Sequence, residues 1–196
     1  NHNEVGGRPA DTASTVYDRS GNDEDGTTSG SMYAPHKGKL ITPAGTVKHT
    51  TDRKNFGSSA IYFDGDSDYL TIPYSPDWEF PSDFTIEFWI NIPDNTPAGS
   101  GTDASLKTQV MGTGGEAGGS PADLAGWGIA IHTNGRIYFT ASGAGNSPYA
   151  YLYSDNYPIL ESNRWAHVAI VKEGFGTGET AMYVNGKIEA TATLAF

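Results

Sequence analysis

NRWAHVAIVKEGFGTGETAMYVNGKIEA, residues 163–190, sets two alternating apolar runs on either side of a Gly-rich loop. In the first run Trp165, Ala169 and Val171 share one face with His167, while Ala166, Val168 and Ile170 line the other. Successive side chains point to opposite faces of a strand, so one that is apolar on both faces is sandwiched between layers. In the second run Met182 and Val184 alternate with Tyr183. Asn185-Gly186 then supplies the two positive-φ positions of a tight hairpin before Lys187 to Leu194 runs back. The stretch predicts two or three antiparallel strands inside a layered β domain.

Upstream, Asp83 to Ile92 alternates, with Phe84, Ile86, Phe88 and Ile90 on one side and Thr85, Glu87, Trp89 and Asn91 on the other. Gly126 to His132 and Arg136 to Ala141 predict a hairpin around Asn134-Gly135, with Trp127, Ile129 and Ile131 opposing Gly128, Ala130 and His132. Leu106 to Met111 is a further strand between two loops rich in Gly. Ser59 to Phe63 and Tyr69 to Pro73 are short strands flanking Asp64-Gly65-Asp66-Ser67-Asp68, which reads as a hairpin turn or as a calcium site of closely spaced carboxylates. Val16-Tyr17 runs into the turn cluster Asp18 to Asn22.

Three ordered motifs carry a family resemblance. They are Phe63-Asp64-Gly65 with Asp68-Tyr69-Leu70, then Asp83 to Trp89, then Trp165, His167, Val168 and Ala169 followed by Tyr183-Val184-Asn185-Gly186. In this order the chain resembles the laminin-G-like family of concanavalin A-type jelly rolls, from about Thr15 to Leu194. The resemblance implies an all-β fold, a two-sheet antiparallel jelly-roll sandwich, with residues 1–14 as an N-terminal arm or linker and 15–196 as the jelly roll. Such modules sometimes hold structural calcium, which strengthens the ion reading of Asp64, Asp66 and Asp68. Family members usually continue past the Asn-Gly hairpin to a closing strand, whereas this sequence ends at Phe196. The expectation is a segment of a longer protein, or an edge covered by the arm or by a neighbouring subunit.

Composition narrows the partners. At 196 residues the chain suits a single all-β domain, and a chain of this size removes roughly 70% of its unfolded surface from water without staples. With no cysteine it has no disulfides, which favours a bacterial or viral origin over a secreted eukaryotic one. The formal net charge is -11 with no basic stripe, so nucleic acid is not an expected partner. No apolar run approaches a membrane span, about 18 residues or more.

Chemistry is sparse. Glu87 sits where related glycosidases carry alternating carboxylates, but positions 85 and 89 are Thr and Trp, and a retaining pair needs a second carboxyl at about 5–5.5 Å. His132 and His167 lack further ligands at zinc spacing, and no Gly-x-Ser-x-Gly elbow is present. Tyr149, Tyr151 and Tyr153 share a strand face, capping the core or presenting flat rings to a sugar.

The reading is therefore a non-enzymatic surface recognition or adhesion module, displayed on a virion as a tail or capsid decoration or on a cell surface. It is expected to bind a glycan or surface polymer through Trp127, Tyr149, Tyr151 and Tyr153, with one structural Ca2+ at Asp64, Asp66 and Asp68. The alternative is a purely structural virion component docking on neighbouring subunits of a larger assembly. An extracellular or virion-surface location follows from either.

Overall fold

A computed structural model of the chain describes residues 41–78, 83–93, 107–113, 126–132, 135–142, 149–156, 159–174 and 177–195. In chain order the strands are β1 (Thr42–Ala44), β2 (Lys48–Thr50), β3 (Ala60–Tyr62), β4 (Tyr69–Thr71), β5 (Phe84–Asn91), β6 (Lys107–Gly112), β7 (Gly126–His132), β8 (Ile137–Ser142), β9 (Tyr149–Tyr153), β10 (Trp165–Glu173), β11 (Thr177–Val184) and β12 (Lys187–Ala195). A 3-10 turn, Pro76–Trp78, precedes β5. Two compact units divide between Ser75 and Pro76. The expected start near Thr15, the 1–14 arm and the Val16-Tyr17 strand lie outside the described residues. Among the described residues no helix is long and apolar enough to cross a membrane.

The second unit, Pro76–Phe196, is an antiparallel β sandwich. One sheet has the order β12-β11-β10-β5 and the other β6-β7-β8-β9. The strand apolar on both faces, β10, is central, paired with β5 on one side and β11 on the other. Ala166, Val168 and Ile170 of β10 and Met182 and Val184 of β11 meet Ile129, Ile137, Phe139, Ala141 and Leu152 of the opposite sheet in one core. Phe84 of β5 and Phe139 of β8 place their ring centroids 6.1 Å apart across the layers. Val168, Ile170 and Met182 are fully buried, and each contributes about 1.5–3 kcal/mol by leaving water. Phe84, Ile86, Phe88 and Ile90 pack against this core as their alternation predicts, leaving Glu87 and Trp89 on the outer face.

At the β11–β12 hairpin Asn185 and Gly186 have φ of 51° and 78°, the left-handed pair of a type I′ turn. Of the second expected turn, Gly135 has φ 79°, and its N–H donates to the His132 carbonyl at 2.8 Å. Asn134 lies outside the described residues.

The first unit corrects one pairing. β3 and β4 do not form a hairpin with each other: β3 pairs with β2 and β4 with β1. The cause is the 64–68 turn, which closes on side chains. Asp64 Oδ1 accepts the Asp66 N–H at 2.9 Å, and Asp68 Oδ2 accepts the Asp64 N–H at 2.9 Å. Asp68 Oδ1 also accepts the Thr46 N–H, which draws the turn onto the corner between β1 and β2. Gly45, at φ 73°, makes room: a Cβ there would collide with Asp68 and sit 3.0 Å from the Ser67 carbonyl.

Candidate functional site

On β9, Leu152 is buried in the core, so the period of two turns Tyr151 and Tyr153 outward. They are 52% and 42% exposed. Across the sheet Tyr153 pairs with Tyr138 and Tyr151 with Thr140, and these pair in turn with Ala130 and Gly128 of β7. Large rings therefore border a floor of small residues.

The two tyrosines are not equivalent. The Tyr153 ring stacks on Tyr138 at 5.4 Å with a 29° interplanar angle, and Tyr138 packs on His132 at 5.0 Å. The Arg136 guanidinium lies 5.0 Å from the Tyr153 ring centroid. Each aromatic pair is worth about 0.5–1.5 kcal/mol beyond its buried area, so Tyr153 is held within a ladder across three strands. Tyr151 stands beside it above Thr140, whose hydroxyl donates weakly to the Gly128 carbonyl at 3.5 Å. The face offers the exposed Tyr151 ring, an adjacent hydroxyl and a low Gly and Ala floor, enough to stack a flat ligand and orient it by hydrogen bonds.

Trp127 does not belong to this face. It lies on the inner side of β7 with Ile129 and Ile131, packed against the core, and its Nε1–H donates to the Trp78 carbonyl at 3.1 Å. An indole so placed holds the sandwich together and cannot share a ligand with Tyr151 on the other side of the sheet. Tyr149 pairs with Ser142 in the backbone register, and its side chain lies outside the described residues. Tyr138 and Thr140, which the sequence reading passed over, complete the face; their parity opposite the apolar Ile137 and Phe139 was the available signal.

Asp64 and Asp68 close the turn through their carboxylates, to which Asp66 contributes its backbone N–H. Thr46 Oγ1 sits 3.1 Å from both Asp64 Oδ2 and Asp68 Oδ1, and backbone N–H groups occupy further carboxylate lone pairs. The Asp66 N–H above all, with the Thr46 hydroxyl and the Ser67 and Asp68 groups, holds the Asp64 carboxyl below the ordinary aspartate range. Among the described residues no three His, Cys, Asp or Glu side chains are grouped to hold a metal ion. Glu87 lies on the outer face of the β12-β11-β10-β5 sheet, where its Oε2 is 3.5 Å from His167 Nε2.

A two-layer antiparallel sandwich is an architecture shared by jelly-roll domains, lectins among them. The chain belongs to the concanavalin A-like lectin/glucanases superfamily, its laminin G profile matching residues 64–196. No curated protein sequence matches the chain. Among solved structures, the botulinum neurotoxin serotype D binding domain is similar at a TM-score of 0.57 and 16% identity, covering 80% of this chain and 35% of that one. The binding domain of botulinum neurotoxin DC in complex with SialylT gives 0.54 at 18% identity, covering 80% and 35%. The same domain in complex with rat synaptotagmin II gives 0.51 at 17% identity, again covering 80% and 35%. The chain thus spans about a third of the length of those domains, and at these identities the likeness is one of fold alone.

Proposed function

We propose that the chain is a non-catalytic recognition module that binds a glycan or surface polymer on the outer face of the β6-β7-β8-β9 sheet, centred on Tyr151. The observation that carries this is the exposed Tyr151 ring set on a rigid strand beside Thr140 and the Gly128 floor. Membership of a lectin-containing superfamily supports it, as do similar folds solved with a glycan and with a protein receptor. Because the superfamily also includes glucanases, the non-catalytic part rests on Glu87, which faces Ala169 across the ladder and lies 3.5 Å from His167 rather than from a second carboxylate. Display on a virion or cell surface is part of the same proposal. Screening the chain on a glycan array tests it: reproducible binding lost in Tyr151→Ala supports the reading, and new reducing ends released from a bound glycan would contradict it.

A second reading, an architectural subunit docking on neighbours, is favoured by the exposed apolar side chains of the first unit. Phe56 and Tyr74 are 68% and 74% exposed, with Tyr62, Phe63, Tyr69 and Ile72 also open to solvent. Co-purification of the chain with a larger particle, without binding to any glycan, would select it.

A further inference from the structure

The Asn185-Gly186 turn carries a chemistry that the Tyr151 face does not use. An asparagine followed by glycine is prone to intramolecular imide formation, because no side chain on the second residue hinders its backbone nitrogen. That nitrogen attacks the asparagine Cγ and a C–N bond forms, while the side-chain nitrogen leaves as ammonia with the proton of the backbone N–H. Water then opens the five-membered imide at either carbonyl, giving aspartate or isoaspartate. One water is consumed, one ammonia is released, and no atom changes oxidation state. Asn185 and Gly186 are both exposed, and no atom lies within 4 Å of a Cβ built on Gly186, so packing does not shield the turn.

What restrains the reaction is backbone geometry. Attack needs the Gly186 nitrogen on the same side of the Asn185 Cα–C bond as the Asn185 side chain. At φ 51° Asn185 is in the left-handed region, where the following nitrogen lies nearly opposite the residue's own Cβ. The side chain is also engaged: Asn185 Oδ1 accepts the His167 N–H at 3.0 Å, and the Asn185 N–H donates to the His167 carbonyl at 2.8 Å. Next to the turn, the buried Val184 pairs with Val168 of β10 and with Lys187 of β12. To bring nitrogen and Cγ together the peptide after Asn185 must swing round by more than a right angle. The closed hairpin does not allow this while both bonds to His167 hold.

We propose that Asn185 is a latent modification site, closed to imide formation in the folded turn and converted when the β11–β12 hairpin opens. The two products differ in consequence. Aspartate keeps the length of the main chain and still offers a side-chain oxygen to the His167 N–H. Isoaspartate routes the main chain through the side-chain carbon and adds a methylene, so a two-residue turn no longer matches the register of its strands. Conversion is irreversible and records opening events that need only local unfolding. No residue of the Tyr151 face takes part, so the site is independent of glycan binding.

Peptide mapping of the whole chain at mildly alkaline pH tests this, since it reads the amide-to-acid mass change and the isoaspartate content at Asn185 and resolves this peptide from that of Asn134. The wild-type chain and Val184→Ala are each followed in native buffer and in urea. The expected result is wild-type conversion at Asn185 that is about tenfold or more slower in buffer than in urea. Val184→Ala, which loosens the hairpin without touching the reacting pair, should speed conversion several-fold in buffer and leave it unchanged in urea, with isoaspartate among the products. Equal wild-type rates in buffer and urea would overturn the proposal, as would a Val184→Ala rate in buffer no faster than wild type. Should Val184→Ala fail to fold, Val184→Thr carries the same comparison.

Discussion

Asn156 Nδ2 donates a 2.9 Å hydrogen bond to Glu189 Oε2, joining the segment after β9 to the residue that bulges out of the β11–β12 register between Met182 and Tyr183. The bulge lets Glu189 turn inward next to Ala190, and both are buried. The Asn156 amide first, then Lys187, hold the Glu189 carboxyl below the ordinary glutamate range against the opposing effect of burial. A carboxylate depressed in the folded state contributes stability that is present in full above its unfolded pKa and is lost as pH falls through the folded value. The melting temperature is therefore expected to fall on acidification below the ordinary glutamate range, and Glu189→Gln should flatten that dependence. Asn156→Ala should cost about 1.5–3 kcal/mol at neutral pH in urea melts, whereas Lys187→Ala, at an exposed ammonium, should cost under about 1 kcal/mol.

The Asn185-Gly186 turn has a graded signature. No atom lies within 4 Å of a Cβ built on Gly186, so Gly186→Ala meets only the left-handed backbone penalty, about 1–2 kcal/mol. Asn185→Ala loses the bond to the His167 N–H as well and should exceed that cost, while Asn185→Gly should fall below Asn185→Ala. Equilibrium unfolding of the three variants gives the order directly.

At the 64–68 turn the hydrogen-bonded clasp predicts insensitivity to chelation. Adding EDTA should leave the melting curve unchanged, Asp68→Ala and Thr46→Val should lower it, and Asp66→Ala should not. A drop with EDTA that calcium reverses, and that Asp66→Ala abolishes, would instead make this turn an ion site.

The aromatic residues separate by role. Trp127→Ala should destabilise the chain by about 3 kcal/mol, since it removes a core-packed indole and its hydrogen bond to Trp78. Tyr153→Ala dismantles the stack with Tyr138 and Arg136 and should cost about 1–2 kcal/mol. Tyr151→Ala should change stability by about 0.5 kcal/mol or less, as exposed positions do, and lose glycan binding. Thermal melts run beside binding assays show whether the two effects part in this way.

What the sequence disclosed follows from which interactions are local. β10 is legible because Ala166, Val168 and Ile170 alternate into the core, although its other face lies on the outer side of the sheet beside Glu87 and Trp89 rather than under a second layer. Asn185-Gly186 names the β11–β12 turn type outright. The alternation 127-129-131 places Trp127 with Ile129 and Ile131, and its inward position, which removes it from the expected glycan contacts, follows from that parity. The partners of β3 and β4 were not legible. Three-residue strands carry too little pattern to choose a mate, and the choice was made by Thr46 and Asp68, 22 residues apart. The stack of His132, Tyr138 and Tyr153 likewise depends on the cross-strand register of three strands, which no single segment encodes.

The most direct test of the central claim is chemical-shift mapping of the labelled chain with a glycan whose array signal Tyr151→Ala abolishes. The account predicts that amide signals of Gly128, Thr140 and Tyr151 move together on titration while those of Val168 and Ile170 in the core stay still. Shifts confined to residues 41–75, or to the β11–β12 hairpin, with Tyr151 unmoved, would contradict it.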